Sequence, residues 1–294
     1  MPELPDITVY LDALRPRILG HEILGARVLN PFALRTVTPP LSSVVGKPVK
    51  TLSRLGKRIV LGVEGDVYVV IHLMIAGRLR WRVGDKKIAG KLAQAVFEFD
   101  TGKLYLTEAG SKRRASIHVV EGAGSLEQFD RGGLEVLDAD LGDFAARLRS
   151  ENHTIKRSLT DPRLFSGIGN SYSDEILHRA KMSPMTLTSR MTDAQIAELF
   201  DATKETLIEW TDRLRKDAGG EFPEKVTAFR EEMAVHGRYK LPCPVCGSPV
   251  QRIRYADNET NYCARCQTGG RLLADRAMSR LLKQDWPRSI DEVE

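Results

Sequence analysis

The four cysteines of this chain form two close pairs near its C-terminal end. Cys243-Pro-Val-Cys246 is followed, after sixteen residues, by Cys263-Ala-Arg-Cys266. Two CxxC pairs at this separation are typical of a tetrahedral zinc site in which each pair lies on a tight turn. Four thiolates leave no open coordination position, so one structural zinc ion is predicted. Disulfide bonds are the alternative, and a cytoplasmic location would disfavour them.

Length and composition are those of an ordinary globular protein with more than one domain. The 294 residues are 42% hydrophobic and 28% charged, which predicts two domains and a small appended module. A net charge of +5 permits a polyanionic partner without requiring one. The sequence has no apolar run of about 18 residues and no signal-peptide pattern. We therefore expect no membrane segment and a cytoplasmic protein, associated with the nucleoid if the source is bacterial.

The first six residues, Met1-Pro-Glu-Leu-Pro-Asp6, contain groups suited to nucleophilic catalysis. Removal of Met1 would leave Pro2 as a secondary amine beside the carboxyl of Glu3. An α-amine has a pKa near 8, against about 10.4 for lysine, so more of it is unprotonated at neutral pH. A secondary amine that attacks a sugar C1′ gives a cationic iminium, and the carboxyl could transfer the protons. The alternative is that Pro2 is simply a second residue.

Helical periodicity follows directly, and short β runs come after it. Apolar spacing predicts a helix over residues 5–19, with Pro16 expected to kink or shorten it. Seven β runs then predict an antiparallel sandwich or barrel. They are Glu22–Leu29, Lys50–Val63, Val67–His72, Gly77–Val83, Ala93–Phe99, Lys103–Thr107 and Ile117–Val120.

Basic residues collect in three clusters along these β runs. They are Arg54, Lys57 and Arg58; Arg78, Arg80, Arg82, Lys86 and Lys87; and Lys112, Arg113 and Arg114. Each cluster alone is typical of a solvated face. Three clusters in one sheet domain, interleaved with His72, Met74 and Trp81, favour a groove for a phosphate backbone.

The remainder of the chain reads as a linker over residues 121–135 followed by helices. Helices are predicted at Leu141–Arg149, Ile155–Leu159, Ser173–Ala180 and Asp193–Lys216. Gly167 and Gly169 bracket a turn that runs into a helix, where free N–H groups can hold a phosphate. Asn170 would add a side-chain donor and Lys156 a charge, although glycine pairs in turns are common.

The C-terminal part carries further basic residues. Arg252 and Arg254, on the hairpin between the cysteine pairs, suit contact with nucleic acid. Residues 271–284 predict a basic amphipathic helix, and the acidic end from Asp291 is expected to be disordered. The predicted domains are 1–131 (β-sandwich), 132–235 (helical, DNA-binding), 236–270 (zinc ribbon) and 271–294 (helical extension).

Taken in order, these segments resemble the formamidopyrimidine-DNA glycosylase/endonuclease VIII family over about residues 1 to 268. The matching segments are Pro2-Glu-Leu-Pro-Asp6, Arg54-Leu-Gly-Lys57, His72-Leu73, Gly77-Arg-Leu79, Ile155-Lys156, Gly167-Ile-Gly-Asn170 and the cysteine pairs. The resemblance implies an α+β fold, with an N-terminal antiparallel β-sandwich led by a helix. A helix–two-turn–helix domain with a zinc ribbon would follow.

The resemblance also implies a function. It indicates a monomeric bifunctional DNA glycosylase and AP lyase that acts on a base turned out of double- or single-stranded DNA. Pro2 would attack C1′, Glu3 would protonate the sugar ring oxygen, and Lys57 would hold a phosphate or assist departure of the base. Elimination would then cut the strand. Lys156, Asn170 and the ribbon would bind phosphates around the lesion.

Four departures from the family pattern concern substrate recognition. Ile75, after Met74, takes the position of the family's methionine wedge, and the loop over residues 108–115 has no aromatic residue. Asn258 replaces an arginine of the ribbon, and the segment from Gly219 to Phe229 is shortened. These changes predict weak discrimination among opposite bases and a reduced advantage of duplex over single-stranded substrate.

Two alternatives stay open at this point. The enzyme could act on oxidised pyrimidines, abasic sites or single-stranded lesions instead of 8-oxoguanine. The chain could also be a DNA-binding protein that recognises damage without chemistry, a function that needs neither Pro2, Glu3 nor Lys57. If Met1 is retained, Pro2 has no free amine and the binding function is favoured.

Overall fold

In the computed structural model, the chain folds into two compact units. The structure describes residues 1–84, 88, 90–110, 112–224, 226–227, 229–255, 258–273, 281 and 287–292. The first unit comprises Met1–Arg131 and Trp210–Thr227, and the second comprises Gly132–Glu209 and Ala228–Glu294. The predictions for Lys86, Lys87 and most of the helix at 271–284 fall outside the described residues. No helix in the described part of the chain is both long enough and apolar enough to cross a membrane.

The first unit begins with helix α1, Leu4–Ile18, which carries the N-terminal residues. Glu3 is its N-cap, and the Glu3 N–H donates to Asp6 Oδ2 at 2.9 Å in a capping box. The helix continues for two residues beyond Pro16 and ends at Ile18, one residue before the predicted end. Pro16 lies in the last turn, and burial of Ile18 together with the Leu19 N–H to Arg15 O bond (3.2 Å) holds that turn.

Eight strands form two antiparallel sheets that enclose the core. They are β1 Gly25–Val28, β2 Val49–Leu55, β3 Arg58–Val63, β4 Val67–His72, β5 Gly77–Arg82, β6 Ala93–Phe99, β7 Gly102–Glu108 and β8 Ser116–Glu121. The sheet orders are β2-β3-β4-β8 and β1-β6-β7-β5. Ile59, Leu61, Phe97 and Leu106 are fully buried in the core with α1. The predicted β-sandwich is confirmed.

The predicted run Lys50–Val63 is wrong as a single strand. A turn at Gly56-Lys57 divides it into β2 and β3, which pair as a hairpin from Leu55↔Arg58 onward. Gly56 has φ +60°, a conformation that glycine adopts without steric cost. Lys57 therefore lies in the hairpin turn and not in a strand. The sequence did not reveal the turn, because the apolar pattern continues on both sides of it.

The predicted linker at 121–135 is largely structured. Residues Ala123–Phe129 form a 3-10 helix, and Phe129 is buried against Val60, Val70 and Val120. Glycine-rich sequence predicted an open connection, but one aromatic residue provides enough apolar area to dock the segment on the sheet.

Residues 210–227, which we predicted within the helical domain, belong to the first unit. Phe222 and Val226 are buried in its core, and the Phe222 ring lies 5.8 Å from that of Tyr10 and 6.3 Å from that of Trp81. Glu224 also forms ion pairs with Arg80 and Arg82 of β5. The sequence pattern gives no indication of these contacts, because the partners are more than a hundred residues away.

The second unit consists of helices and one β hairpin. Its elements are α2 Leu141–Arg149, α3 Ile155–Thr160, α4 Asn170–Arg179, α5 Asp193–Ala218, β9 Gln251–Tyr255, β10 Asn258–Tyr262 and α6 Ala264–Thr268. Only the part of α5 up to Glu209 belongs to this unit. Asp140 and Thr154 cap α2 and α3 by accepting from Asp143 N–H and Arg157 N–H. The helix–two-turn–helix consists of α3, the glycine-containing turn and α4.

The acidic C-terminal end is ordered where the structure describes it. Residues Ile290–Glu292 form a 3-10 turn, with Ile290 buried against Tyr262 and Leu272. Arg265 of α6 pairs with Asp291 at 2.6 Å. The expectation of disorder is therefore wrong for Asp291 and Glu292. It rested on the acidic residues alone and overlooked Ile290, whose burial holds the turn in place.

Candidate active site and nucleic-acid interface

The N-terminal residues are buried at the start of α1. Pro2 is buried, and Glu3 has only 2% of its surface exposed. The Ile7 N–H donates to Glu3 O at 2.9 Å, so the backbone here is already helical. The positive end of the helix dipole favours negative groups at this position, both carboxylates and phosphates. The predicted nucleophile and proton donor thus lie side by side on a rigid mount.

Four charged residues interact with the terminal amine of Met1. Burial lowers the pKa of the Met1 amine below 8.0; Arg78 and Lys57 act in the same direction, while Glu3 and Asp6 oppose them. The fold thus brings Lys57 from the β2–β3 turn and Arg78 from β5 to the chain terminus. Desolvation and nearby cations both favour an unprotonated, nucleophilic amine.

His72 lies at the end of β4 in an unusually positive environment. Burial, followed by the charges of Arg58, Lys57 and His118, lowers the pKa of His72 to about 4. The ring is therefore neutral at neutral pH and can accept or donate one hydrogen bond. Its proximity to Lys57 connects it to the groups around the amine.

The pKa of His72 predicts an acid-sensitive step in stability. Between pH 6.5 and about 4 the unfolded chain binds a proton at this ring and the folded chain does not, so stability falls as pH falls through that window. The loss amounts to at most about 3 kcal/mol. We expect His72→Gln to flatten the decrease of the melting temperature between pH 7 and pH 5. Equal slopes for variant and wild type, each referenced to its value at pH 8, would contradict this.

The turn between β4 and β5 projects Ile75 into solvent. Ile75 is 63% exposed, and Met74 before it has φ +53°, which is uncommon for a non-glycine residue. Gly77 closes the turn by donating to Leu73 O at 2.9 Å, and a Cβ at Gly77 would lie 2.2 Å from that oxygen. The turn is thus tightly constrained, as an apolar wedge requires.

Arg78 braces this turn from below. Its Nη1 donates to Ile75 O at 3.0 Å and to Gly77 O at 2.6 Å, and its Nε donates to Val226 O. Sequence reasoning assigned Arg78 to DNA contact, whereas its guanidinium is used to hold the backbone. The direct DNA contact stays a prediction.

The predicted basic loop lies beside the Ile75 turn. Strand pairing sets Gly77 opposite Glu108 and His72 opposite Ser116, so the two connections emerge at the same end of the sandwich. The buried Glu108 carboxylate accepts from Arg114 N–H (2.9 Å) and Ala115 N–H (3.0 Å). The side chains of Lys112, Arg113 and Arg114 are exposed. Glu108 was missed, since an acidic residue in a basic loop gives no signal of its role.

In the second unit, the helix–two-turn–helix places Lys156 and Asn170 in bonds within the protein. Lys156 Nζ donates to Asn170 O (2.7 Å), Ser173 Oγ (2.8 Å) and Asp174 Oδ1 (2.5 Å). Asn170 Nδ2 donates to Glu259 O at 2.7 Å. All three ammonium protons are used, so a phosphate would have to exchange for one of these acceptors. The contact of Lys156 and Asn170 with DNA stays a prediction.

Two adjacent carboxylates of α4 were not recognised from the sequence. Asp174 Oδ2 lies 2.8 Å from His236 Nδ1 and accepts from Asn261 N–H at 3.2 Å. Glu175 accepts from three consecutive N–H groups, those of residues 234–236, at 2.7 to 3.0 Å. Its burial raises the pKa of Glu175, which the three donors oppose. These carboxylates fasten the helix–two-turn–helix to the ribbon.

The four cysteine thiols converge as predicted. Their sulfur atoms all lie within 4.8 Å of one another. Cys243 Sγ is 3.9 Å from Cys266 Sγ, and Cys246 Sγ is 3.3 Å from Cys263 Sγ. A tetrahedron with Zn–S bonds of about 2.3 Å requires sulfur separations of about 3.8 Å, and the two distances lie within about 0.5 Å of that value. The ligand set therefore fits one structural zinc ion, and His178 Nε2 lies 3.3 Å from Cys243 Sγ.

The ribbon arginines interact mainly with neighbouring side chains. Arg252 Nη1 lies 3.2 Å from Glu259 Oε2, and its guanidinium stacks 4.0 Å from the Tyr239 ring centroid. Arg254, with 65% of its side chain exposed, lies 3.5 Å from the same carboxylate. Asn258 begins β10. Of this set, Arg254 is the more accessible to a phosphate.

The geometry defines a class of protein in which Pro2 and Glu3 are buried at the start of a helix and are combined with a helix–two-turn–helix and a four-cysteine ribbon. Family models match all three parts: the formamidopyrimidine-DNA glycosylase N-terminal domain at 1–115, the H2TH domain of the same enzymes at 134–215, and the zinc finger found in FPG and IleRS at 240–269.

Relatives extend the match over nearly the whole chain. A formamidopyrimidine-DNA glycosylase of Solibacter usitatus is 31% identical over 275 residues, which cover 91% of this chain and 99% of that protein. An uncharacterized formamidopyrimidine-DNA glycosylase-like protein of Mycobacterium tuberculosis is 42% identical over 151 residues, 51% of this chain and 94% of that protein. The Lactococcus lactis enzyme in complex with FAPY-dG-containing DNA superposes with a TM-score of 0.80 at 26% identity, covering 90% of this chain and 100% of that chain.

The chain belongs to the formamidopyrimidine-DNA glycosylase family. This membership supports DNA glycosylase activity and a role in base excision repair, and the DNA complex of the relative supports DNA binding.

Proposed function

We propose that this chain is a bifunctional DNA glycosylase and AP lyase that uses Pro2 as its nucleophile. The observation that carries the proposal is the setting of the N-terminal residues. Pro2 and Glu3 are buried at the start of α1, and burial, together with Arg78 and Lys57, lowers the pKa of the adjoining Met1 amine. A pure DNA-binding protein has no use for buried N-terminal residues whose surroundings favour an unprotonated amine.

The proposed chemistry begins after removal of Met1. The nitrogen lone pair of Pro2 attacks C1′ as the C1′–base bond breaks, and the damaged base leaves with the bonding electrons and takes up a proton. The Pro2 nitrogen, now bonded to C1′, gives up its N–H proton to solvent. Glu3 protonates the ring oxygen O4′ as the sugar opens, which gives a cationic iminium between Pro2 and C1′. Loss of a C2′ proton then expels the 3′ phosphate and cuts the strand. Lys57 binds a phosphate or assists departure of the base.

The proposed substrates are oxidised or ring-opened bases in DNA. The complex of the Lactococcus lactis relative with FAPY-dG-containing DNA supports this class. Oxidised pyrimidines, abasic sites and lesions in single strands are included as alternative substrates. The monomeric state and the cytoplasmic location stay predictions from the sequence.

Borohydride trapping against a panel of lesions in single- and double-stranded oligonucleotides tests the proposal. Reduction of the iminium would give a covalent protein–DNA complex, and intact mass of the free protein would show loss of Met1. A protein that binds an abasic-site analogue but traps none of the lesions would instead be a damage-binding protein without chemistry.

We expect weak discrimination among opposite bases. Extruding a base costs a few kcal/mol, and side chains that enter the gap offset part of this cost. Ile75 supplies only an apolar plug, which makes no base-specific hydrogen bond. Cleavage rates for one lesion placed opposite each of the four bases should differ by less than about tenfold, or about 1.4 kcal/mol. A steep preference for 8-oxoguanine opposite cytosine would overturn this expectation.

A further inference from the structure

Phe32 is an exposed aromatic side chain whose backbone is held rigidly. It is 75% exposed, yet it lies in a 3-10 turn, Pro31–Ala33, capped by Asn30 and anchored by the buried Ala33. Asn30 is itself fixed to Gln94, through its N–H to Gln94 O (3.0 Å) and its Nδ2 to Gln94 Oε1 (2.6 Å). A phenyl ring with three-quarters of its surface exposed contributes little to the core, and its face stays available to a ligand.

The Phe32 turn lies at the same end of the sandwich as the basic loop and the Ile75 turn. Leu34 bridges Ile117 of β8, and the Arg35 N–H donates to Ile117 O at 2.9 Å. Ile117 follows Ser116, which pairs with His72 immediately before the Ile75 turn. Phe32 and Asn30 line a surface cavity of about 410 Å³ together with Gly110 and Arg113 of the basic loop.

The chemistry of this cavity suits a nucleobase. Phe32 offers an aromatic face and Arg113 of the basic loop lines the same cavity, while Lys112 and Arg114, which flank Arg113 in the sequence, are exposed. An aromatic face bordered by cations is the arrangement with which proteins bind unpaired bases and their phosphates. The Arg113 guanidinium is positioned by donation to Lys91 O at 2.6 Å.

We infer that Phe32 stacks on the base left unpaired when the damaged nucleotide is turned out, and so supplies an aromatic contact that the basic loop lacks. This inference rests on the proposed function, which extrudes the nucleotide. Stacking accepts any of the four bases, so it agrees with weak discrimination among opposite bases. It also implies that the reduced advantage of duplex over single-stranded substrate, which the sequence predicts, will appear only when Phe32 is replaced.

Equilibrium binding to a duplex with a tetrahydrofuran abasic analogue opposite 2-aminopurine tests the inference without requiring catalysis. We expect Phe32→Ala to weaken duplex binding by about 5- to 150-fold and to remove the 2-aminopurine fluorescence change seen with wild type. Binding to the single-stranded analogue should change by less than about 3-fold. Val37→Ala, at an 88% exposed position of the same segment, is the matched control and should behave as wild type.

Failure of this inference is distinguishable from failure of the proposed function. If Phe32→Ala binds the duplex as tightly as Val37→Ala and gives the wild-type fluorescence change, the Phe32 contact does not exist. If wild type traps no lesion but Phe32→Ala still loses duplex affinity, the stacking contact stands and the catalytic proposal is wrong. Equal melting temperatures of the two variants, expected for exposed positions, would show that neither effect arises from unfolding.

Discussion

Pro2→Gly should reduce the borohydride-trapped complex severely, by about 100-fold or more, while leaving affinity for an abasic-site analogue within about 3-fold of wild type. Glycine keeps a terminal amine but makes it primary, so the adduct with C1′ is a neutral imine that must be protonated before it draws electrons. It also removes the ring that fixes the nitrogen at the start of α1, where Pro2 is buried. The cationic iminium therefore forms only from the protonated fraction of the imine, while the binding surface is retained.

Glu3→Gln tests the other half of the same site. The amide is nearly the same size and can occupy the same N-cap position, but it cannot donate the proton to the sugar ring oxygen. Proton transfer by a positioned side chain typically contributes 10²- to 10⁴-fold in rate, so we expect a loss of base excision on that order. Excision is measured by release of the damaged base under single-turnover conditions. Wild-type activity in both variants would contradict the mechanism.

Loss of zinc should be the second large effect. The ribbon has little apolar material of its own: the buried cluster beside the thiols consists of Val235, Val250 and two of the cysteines. Binding of a structural zinc ion is worth on the order of 10 kcal/mol, far more than such a cluster provides. We expect about one zinc per chain, and we expect Cys263→Ser to lose both the metal and most of the DNA affinity.

A matched control for the zinc experiment lies within the ribbon. Val245→Ala, at a 66% exposed position between Cys243 and Cys246, leaves all four thiolates in place, so it should retain the metal. Elemental analysis and DNA titration of both variants separate loss of zinc from a general disturbance of the ribbon. Metal-free Cys263→Ser protein that binds DNA as wild type does would show that the ribbon is dispensable.

Sequence reasoning succeeded where the determining interactions are local. The CxxC spacing predicted the thiol cluster, and helical periodicity predicted α2 with its observed bounds, Leu141–Arg149. Turn chemistry at Gly167 and Gly169 predicted a turn into a helix, and Gly167 does have φ +78°. Each of these signals lies within about thirty residues of sequence, so a single sequence is sufficient to detect it.

The features that escaped prediction depend on contacts between distant segments. Arg78 was predicted to face DNA, but its bond to Val226, 148 residues away, shows that part of its role is to hold backbone. Asp174 joins Lys156, His236 and Asn261, and no pairwise spacing in the sequence reveals that network. No sequence pattern singles out Phe32, whose exposure and position in one cavity with Gly110 are visible only in the structure. Packing between segments that are distant in the sequence determines these roles, and the local sequence pattern does not indicate that packing.

The identity of the residue that carries the trapped DNA tests the central claim most directly. After borohydride reduction, nuclease digestion and proteolysis, mass spectrometry would locate the sugar remnant on one peptide. We expect it on the N-terminal peptide that begins with Pro2, attached to the proline nitrogen, with Met1 absent. A remnant on Lys57, or a trapped complex formed by protein that retains Met1, would show that the Pro2 nitrogen is not the nucleophile.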